Sequence, residues 1–463
     1  MGAKTQAFGD FQTPLSLVRE VLSTLGPIER KWQRVLEPTC GTGNFIRGLV
    51  EREHPPKEIV GIELQQAYVE AARALSPLCA QKGSRLTVLK ASIFDIDLDR
   101  DILWEGRGPL LVIGNPPWVT NAAQGSMGSD NLPNKSNFKR FKGLDAITGR
   151  SNFDIAEFIL LKIINELARE HATVVLLCKT SVARNVLSFV RESNLGISDA
   201  SIRRIEAKQW FDAAVDACLF TFAINSAQPC YSADIYDSLV ATSPQRKIGF
   251  VGDLFVADVA AFQDLAPVAG ESPVEWRQGV KHDAASVMEL VFRDGAWYNK
   301  LGEVVEVEDD YIYPLVKSSD LRERGVQRPQ RAVIVTQRHV SEDTRPLEHI
   351  APRLWKYLES HTDIFEARKS SIYKGKPPFS IFGVGDYTFA KYKVCVSGLY
   401  KQPHFVAVRP KEGKPVLCDD TCYLLPLETA AQAAVVASVL NHPITTRFIR
   451  SIAFWDSKRP ITK

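Results

Sequence analysis

Apolar strand-like runs alternate with amphipathic helical patterns along the first 225 residues of the chain. The first helical pattern covers residues 11–25, with Thr13 in the N-cap position and Pro14 at the first helical position. The segments that contain predicted strands are 34–51, 59–64, 85–98, 110–113, 172–178 and 217–225. Strands that alternate with helices form parallel sheets, because each crossover returns over a face of the sheet. The alternation therefore predicts an α/β fold with a doubly wound, mostly parallel, Rossmann-like sheet.

The chain is too long for one ordinary core and is predicted to fold as two domains. It has 463 residues, and single hydrophobic cores stop growing beyond about 250–300 residues. The regular alternation stops near residue 245, after which the short runs RAVIVTQ, YKVCVSG and HFVAV lie among loops rich in Gly, Pro and Lys. We therefore expect a first domain over residues 1–245 and a mixed α+β domain over residues 246–463.

The net charge of +3 is distributed unevenly along the chain. Residues 321–463 contain 23 Lys and Arg against 13 Asp and Glu, a balance of +10 that leaves −7 for the rest. A basic carboxyl-terminal half favours a polyanionic partner for this part of the chain. A solvated basic face without any partner would give the same composition.

Cysteine usage and hydropathy indicate the cellular compartment. The eight cysteines are scattered along the chain, which favours reduced thiols over a disulfide framework. Cys418 and Cys422 are close together, but no second pair of Cys or His lies nearby to complete a zinc site. The chain starts without a signal-peptide pattern and contains no apolar run of 18 residues. We expect a cytoplasmic protein without a membrane span or a metal.

Three of the predicted strands end in residues suited to a nucleoside cofactor. Ligands of open α/β sheets bind at the carboxyl ends of the strands. The glycines of Glu37–Gly43, after the first strand, allow the backbone to turn tightly and approach a ligand closely. Glu63 ends the second strand, where its carboxylate can bind two ribose hydroxyls or can be an ordinary surface acid. Ser92 and Asp95 follow the third strand, where a polar side chain can bind an adenine edge.

The segment Asn115-Pro116-Pro117-Trp118 at the end of the fourth strand predicts a substrate with an amino group. Asn115 offers an amide oxygen and Pro116 a carbonyl of fixed direction, and two acceptors suit one NH2 group. Trp118 offers a flat face on which a heterocycle can stack. An amine conjugated to a ring is a poor nucleophile until acceptors hold its hydrogens out of the ring plane. The matching electrophile is the sulfonium methyl of S-adenosylmethionine.

The order of these motifs resembles that of the gamma group of bacterial amino-methyltransferases, the adenine-specific DNA methyltransferases of restriction–modification systems. The resemblance covers about residues 8–225 and rests on five motifs in order, with NPPW in the position of NPPY. It implies site-specific methyl transfer to the 6-amino group of an adenine that is flipped out of duplex DNA. Catalysis would depend on positioning and electrostatics, without a metal or a covalent nucleophile.

The resemblance also implies roles for individual residues. Thr13 and Glu37 would hold the amino-acid end of the cofactor, and Glu63 its ribose. Asp95, narrowly preferred to Ser92, would contact the cofactor's adenine. The other cofactor-binding residues implied by the glycine loop are Pro38, Gly41 and Gly43.

The target base would be held by a second group of residues, namely Asn115, Pro116, Pro117 and Trp118, with Phe211 on its other face. Phe211 also fits an ordinary core position before a strand. Asp154 resembles an acid near the cofactor, and it fits a helix N-terminal acid equally well.

The basic second half fits the recognition of duplex DNA. A catalytic sheet of about 230 residues cannot also read several base pairs in a groove, so a target-recognition domain should follow it. Segments similar to recognition domains of this family are 277–290, 312–321 and 382–401. The candidate DNA contacts are Lys281, His282 and Lys317. A cognate restriction endonuclease, if one exists, should be a separate protein, because no nuclease domain is expected ahead of the first motif.

Three other function classes share part of this pattern. An RNA adenine methyltransferase would share the first half, but the large basic module after it favours duplex DNA. A protein glutamine methyltransferase also uses an NPPY-like turn, since a side-chain amide is another conjugated NH2 group, but such chains are short with a helical front domain. A DNA-binding scaffold would not need the cofactor motifs.

Overall fold

The computed structural model describes residues 12–26, 31–119, 154–225, 228–321, 331–340, 342–457 and 459–461. The chain divides into two compact units, Met1–Gln263 and Asp264–Lys463. The sequence predicts a division after residue 245, but two further strands pair with the sheet beyond that point. The first unit therefore extends past the predicted boundary. No helix within the described ranges is long and apolar enough to cross a membrane.

The first unit is built from one ten-stranded sheet and helices that cover it. Its strands are β1 Arg34–Glu37, β2 Glu58–Glu63, β3 Arg85–Lys90, β4 Leu110–Gly114, β5 Ala172–Lys179, β6 Ile197–Ile205, β7 Ala217–Ile224, β8 Ala233–Tyr236, β9 Arg246–Val251 and β10 Leu254–Val256. Its helices are α1 Leu15–Thr24, α2 Asn44–Val50, α3 Gln66–Arg73, α4 Ser76–Gln81, α5 Ile155–Glu166, α6 Thr180–Glu192 and α7 Ala207–Phe211, with α8 Val259–Asp264 at the end of the unit.

The strand order is β10-β9-β8-β6-β7-β5-β4-β1-β2-β3. Strands β1 to β5 are parallel, and β7 lies antiparallel between β5 and β6. Strand β1 pairs on both sides, with Val35 opposite Ile59 of β2 and Leu111 of β4. This topology confirms the predicted doubly wound, mostly parallel sheet.

Close helix packing covers the side of the sheet that bears the first helix. The buried face of α1 consists of Leu17, Val18, Val21 and Leu22. A Cβ atom at Gly48 of α2 would lie 2.5 Å from Cγ1 of Val18, so the glycine permits this approach. The close packing of α1 against α2 therefore depends on the absence of a side chain at Gly48.

The predicted N-cap role of Thr13 is wrong. Helix α1 begins at Leu15, Pro14 occupies the cap position in an extended conformation, and no side chain caps the helix. Thr13 therefore lies outside the helix, buried, and its backbone carbonyl accepts a hydrogen bond from Nδ2 of Asn44 at 2.8 Å. The contact joins the segment before α1 to the start of α2.

The second unit contains two sheets and several short helices. Its strands are β11 Arg277–Gln278, β12 Glu289–Arg293, β13 Ala296–Tyr298, β14 Ile312–Val316, β15 Arg331–Ile334, β16 Tyr392–Ser397, β17 Phe405–Val408, β18 Leu417–Cys418 and β19 Cys422–Leu427. Its helices are α9 Ala285–Met288, α10 Leu347–Ile350, α11 Pro352–Glu359, α12 Thr362–Glu366, α13 Ala430–Leu440 and α14 Pro443–Ile452.

The sheets of the second unit have the orders β13-β12-β15-β14-β18 and β11-β19-β16-β17. The three strand-like runs singled out in the sequence correspond to β15, β16 and β17. The unit is thus of the mixed α+β type that the sequence predicts.

Candidate active site

A cavity of about 300 Å3 lies at the carboxyl ends of β1, β2, β3 and β4. It brings together eight of the residues that the sequence singles out: Thr13, Glu37, Pro38, Gly41, Glu63, Ser92, Asn115 and Pro117. These residues come from four different strand ends and from the segment before α1. The site is therefore where the sheet topology places ligands in open α/β folds.

The glycine loop is held by a side chain that the sequence analysis did not select. Gly41 has φ +51°, and Oε1 of Gln12 accepts hydrogen bonds from the backbone N–H and the hydroxyl of Thr42, at 3.1 and 3.0 Å. A Cβ atom at Gly41 would lie 2.6 Å from that same oxygen. Gln12 lies 30 positions before Thr42, so no local pattern could reveal the contact.

Gly43 has a structural role in the packing of α2. Its φ is +84°, and a Cβ atom there would lie 2.9 Å from Cδ1 of Leu75 and 3.4 Å from Cα of Ala72. The residue precedes α2 and allows that helix to pack closely on the neighbouring segment. It does not line the described cavity.

The carboxylate of Glu63 holds the loop through two hydrogen bonds. Oε2 accepts from the backbone N–H of Gly41 at 2.9 Å, and Oε1 accepts from the backbone N–H of Gln65 at 2.7 Å. The carboxylate lies at the cavity with these two groups. Its position thus links the end of β2 to the glycine loop after β1.

Glu37 is a buried acid at the cavity. It is 2% exposed, and its Oε2 has no hydrogen-bond partner among the described residues. Burial raises the pKa of Glu37 well above its ordinary value; a hydrogen bond from the backbone of Ile46 opposes this shift, and the charge of Glu63 adds to it. A buried, unpaired carboxyl oxygen fits a ligand that brings its own cation.

The turn after β4 contributes directly to the cavity. Gly114 ends the strand with φ +159°, and Asn115 and Pro117 line the cavity, whereas Pro116 does not. The hydroxyl of Thr39 donates to the backbone carbonyl of Asn115 at 3.5 Å. This long hydrogen bond connects the loops that follow β1 and β4.

Trp118 and Phe211 lie together but do not leave room for a base between them. Their ring centroids are 5.1 Å apart at an interplanar angle of 75°, and both side chains are 7% exposed. Nε1 of Trp118 donates to the carbonyl of Leu177 at 3.3 Å. The expected open stack around a base is therefore not the arrangement of this structure, in which both rings belong to the hydrophobic core.

Ser92 rather than Asp95 lines the cavity. Asp95 is exposed, and its backbone N–H donates to the carbonyl of Ser92 in a turn at 3.0 Å. Strand β3 ends at Lys90, so Ser92 follows it closely while the turn carries Asp95 away. The geometry thus reverses the narrow preference for Asp95.

Asp154 caps helix α5. Oδ1 accepts from the backbone N–H of Ala156 at 3.0 Å, and Oδ2 forms an ion pair with Nζ of Lys179 at 2.6 Å. Burial raises the pKa of Asp154, and the charge of Lys179 opposes the shift. Asp154 does not line the described cavity, so the helix-terminal interpretation is the one that fits its contacts.

Two of the three candidate DNA contacts in the second unit, the buried His282 and the half-buried Lys317, belong to an ionic cluster around Glu289. His282 is 6% exposed, its Nδ1 accepts from the backbone N–H of Ala284, and burial lowers its pKa to about 4. Nζ of Lys317 lies 2.6 Å from Oε1 of Glu289, which also pairs with Lys300. Their positions contradict the phosphate contacts expected of His282 and Lys317, because burial keeps His282 neutral and the ammonium group of Lys317 neutralises the buried carboxylate of Glu289.

Lys281 differs from these two residues. Its ammonium pairs with Asp283 at 2.8 Å, and about a third of its side chain is exposed. It can therefore still reach a solvent-side partner. No group of three or more His, Cys, Asp or Glu suited to a metal occurs within the described ranges.

Phe94, which no sequence motif indicated, also lines the cavity beside Ser92. Its ring packs against Phe158 of α5 with 5.4 Å between centroids. The sequence shows only a Phe in a mixed segment after β3, and a partner 64 positions away gives no local signal. Phe94 offers a flat apolar surface next to a polar strand end.

Comparison with known proteins identifies the family. The type II methyltransferase M.NspV of Nostoc sp. is 37% identical over 455 residues, which cover 98% of this chain and 94% of that protein. This chain belongs to the type II methyltransferase family. The modification methylase CviBIII of Paramecium bursaria Chlorella virus NC1A is 35% identical over 85 residues, 18% of this chain and 19% of that protein. No family model matches the methyltransferase.

Among solved structures, the type IIL restriction–modification enzyme MmeI in complex with DNA has a similar fold. It is 13% identical with a TM-score of 0.56, and the match covers 95% of this chain and 66% of that chain. The structural similarity extends over both units of the methyltransferase, and it is a similarity of fold.

S-adenosylmethionine is the cofactor of the methyltransferase. The cavity fits it, because the buried oxygen of Glu37, which has no hydrogen-bond partner among the described residues, suits an ammonium group. The cofactor supplies an electrophilic methyl group when it is bound. Glu37, Glu63 and Ser92 are the residues of this chain that would hold its polar groups.

Proposed function

We propose that this chain is a site-specific DNA adenine methyltransferase that methylates the exocyclic 6-amino group of an adenine flipped out of duplex DNA. It would act as the modification enzyme of a restriction–modification or phage-defence system, beside a separate cognate endonuclease. The family supports the methyl transfer and its connection to modification systems.

One observation carries the proposal: Asn115 and Pro117 line the same cavity as Glu37 and Glu63. An amide-bearing turn beside the cofactor residues suits an acceptor that is a planar NH2 group, because amide and carbonyl oxygens accept its two hydrogens. An ordinary surface turn is not expected to line one cavity together with two acids and a glycine loop.

The side chains of the turn would act by position. The amide oxygen of Asn115 would accept one hydrogen of the adenine amine, and the carbonyl of Pro116 would accept the other after a small movement of the turn. Both contacts favour a pyramidal nitrogen whose lone pair points into the cavity. Effects of this kind come from orientation and fixed dipoles, so no protein nucleophile is needed.

The aromatic pair requires a rearrangement. Trp118 and Phe211 contact each other edge-on in the present structure, so a base could stack on them only after the rings separate. We propose that the extruded base replaces this contact with two stacking contacts. Base–aromatic stacking contributes about 1–3 kcal/mol per base, which offsets the loss of the ring–ring contact.

The second unit would bind the target duplex. Residues 321–463 carry an excess of ten positive charges, as expected of a surface that meets a polyanion. Of the three cations first proposed as DNA contacts, only Lys281 keeps this role.

The experiment that tests the proposal is transfer of a tritiated methyl group to genomic DNA, followed by separation of the nucleosides. The proposed function predicts label in N6-methyladenine. Label in a methylated cytosine would reject adenine as the target. Label in RNA or protein but not in DNA would favour an RNA adenine or a protein glutamine methyltransferase instead.

A further inference from the structure

A basic loop of the second unit, residues 368–376, contains Arg368, Lys369, Lys374 and Lys376. The segment 367–385 around it contains no Asp or Glu. The three lysines are exposed, and none of them makes an ion pair with a residue of the described ranges. Three like charges within eight residues repel one another, which favours an anionic partner.

The basic loop is held in place at its start. Arg368 donates to the carbonyl of Ser380 at 2.7 Å and to that of His282 at 3.3 Å. Its guanidinium also lies 3.7 Å from the ring centroid of Tyr373. Arg368 is therefore a structural cation, and it fixes the part of the loop from which the lysines project.

The tip of the basic loop is a tight turn that presents two lysines. The backbone N–H of Lys376 donates to the carbonyl of Tyr373 at 3.3 Å, and Gly375 between the lysines has φ +67°. Glycine adopts this conformation without strain, so the turn keeps a defined shape. Lys374 and Lys376 thus lie on either side of a fixed turn.

Lys281 belongs to the same surface. Its backbone exchanges two hydrogen bonds of 2.8 Å with Phe382, and the ring of Phe382 packs on Tyr373 with 5.4 Å between centroids. The carboxylate of Asp283 pairs with the ammonium group of Lys281. Lys281, the one sequence-predicted DNA contact that is retained, therefore forms one patch with the basic loop.

We propose that this patch, and above all Lys369, Lys374 and Lys376, binds the phosphate backbone of duplex DNA without reading its sequence. Lysine ammonium groups are point charges that suit phosphates, whereas base edges require planar or directional groups. A loop ordered before binding loses little conformational entropy when it meets the duplex. The inference rests on the proposed function, since it assigns the surface that anchors the substrate.

The test compares two double variants of the full-length chain that remove equal charge. Lys374→Gln with Lys376→Gln changes the tip of the basic loop. Lys356→Gln with Lys401→Gln is the control, because both lysines are exposed in other segments of the unit and make no ion pair within the described ranges. Fluorescence anisotropy with a labelled duplex at several salt concentrations gives affinity and its salt dependence for each.

The loop variant should bind duplex DNA about tenfold or more weakly at low salt, with a slope of log affinity against log salt shallower by about 1.8. The loss should be equal for a duplex with the target site and for a scrambled duplex. Affinity for S-adenosylmethionine and the unfolding midpoint should stay at the wild-type values. The control variant should keep the wild-type slope.

Three results overturn the proposal. A loop variant with the wild-type salt slope, in a protein that methylates DNA, rejects the loop and leaves the proposed function intact. Weaker binding of an RNA of equal length, with duplex binding unchanged, assigns the loop to a different polymer. A wild-type chain that neither binds nor methylates duplex DNA rejects the loop and the proposed function together.

Discussion

The indole ring of Trp118 contacts the ring of Phe211 edge-on, with 5.1 Å between their centroids. Both residues lie in the core cluster of the first unit, beside Leu177 and Leu219. The proposed function requires these rings to part, so the contact must be weak enough for a base to replace it. An aromatic pair contributes about 0.5–1.5 kcal/mol beyond the area that it buries. The stacking of a base on an aromatic ring contributes a similar or larger free energy, so it can compensate for the lost contact.

Phe211→Leu should keep most of the buried volume, lower the free energy of unfolding by about 1.5 kcal/mol or less, and reduce methyl transfer tenfold or more. The matched control is Phe220→Leu, at a fully buried position of β7, which should lower stability similarly and leave transfer unchanged. Steady-state transfer to DNA and urea unfolding separate the two effects. Wild-type transfer by Phe211→Leu would make Phe211 a core residue only.

The buried acid Glu37 should make stability of the cofactor-free protein depend on pH. Burial raises the pKa of Glu37 in the folded state, so its contribution to stability is present below its ordinary pKa and is lost as pH rises through the folded value. Glu37→Gln cannot ionise and avoids that loss.

Glu37→Gln should therefore be more stable than the wild type at pH 8, and the difference should vanish near pH 4. The same variant should bind S-adenosylmethionine more weakly, because the amide carries no charge to meet the ammonium group. Urea unfolding at several pH values and calorimetric titration measure the two effects. A stability difference that does not change with pH would contradict the assignment.

Lys317 should contribute to stability rather than to DNA binding. Burial alone would raise the pKa of Glu289, but hydrogen bonds from Lys300 and Lys317 outweigh it and hold the pKa below the ordinary value. The ion pairs thus stabilise the fold above the ordinary pKa of Glu289, and this contribution is lost as pH falls.

Lys317→Ala should lower the free energy of unfolding at pH 7 by about 1–3 kcal/mol, with a smaller loss near pH 4. The more exposed Lys300→Ala should cost less. The salt dependence of DNA binding should not change in either variant. A shallower salt slope for Lys317→Ala, without a loss of stability, would restore Lys317 to the DNA surface.

The apolar strands and the residues that end them could be predicted from sequence. Strands β2, β4 and β5 contain nearly continuous apolar runs, and β1 has the apolar pair Val35-Leu36 at its centre. Parallel sheets collect the ends of such strands at one edge. For that reason Glu37, Glu63 and Asn115 meet in one cavity as expected.

The features that sequence did not predict depend on distant contacts. Strand β6 has the mixed sequence ISDASIRRI and pairs with β7 and β8, so its strand character comes from its neighbours. Lys317 contacts Glu289 at a separation of 28 residues, and Trp118 contacts Phe211 at a separation of 93 residues. A sequence pattern gives residue type and spacing, but it does not show which side chains contact each other inside the folded protein.

Glu63→Ala should weaken the binding of S-adenosylmethionine by about 1.5–3 kcal/mol, the range for hydrogen bonds to a charged group. The change also removes the acceptor of the Gly41 N–H, so part of the loss should come from a looser glycine loop. Glu70→Ala, which removes an exposed acid from α3, is the control and should bind normally. Calorimetric titration decides, and equal affinities for the two variants would return Glu63 to an ordinary surface acid.

In the proposed mechanism, Asn115 holds the reacting amine beside the cofactor. The measurement that tests it most directly pairs two assays of Asn115→Ala: calorimetric titration with S-adenosylmethionine and single-turnover transfer of a labelled methyl group to duplex DNA. Asn115→Ala should keep near wild-type cofactor affinity, and its methyl transfer should be slower by two or more orders of magnitude, about 2.7 kcal/mol or more in barrier height. Wild-type transfer, or a loss of cofactor binding equal to the loss of transfer, would contradict it.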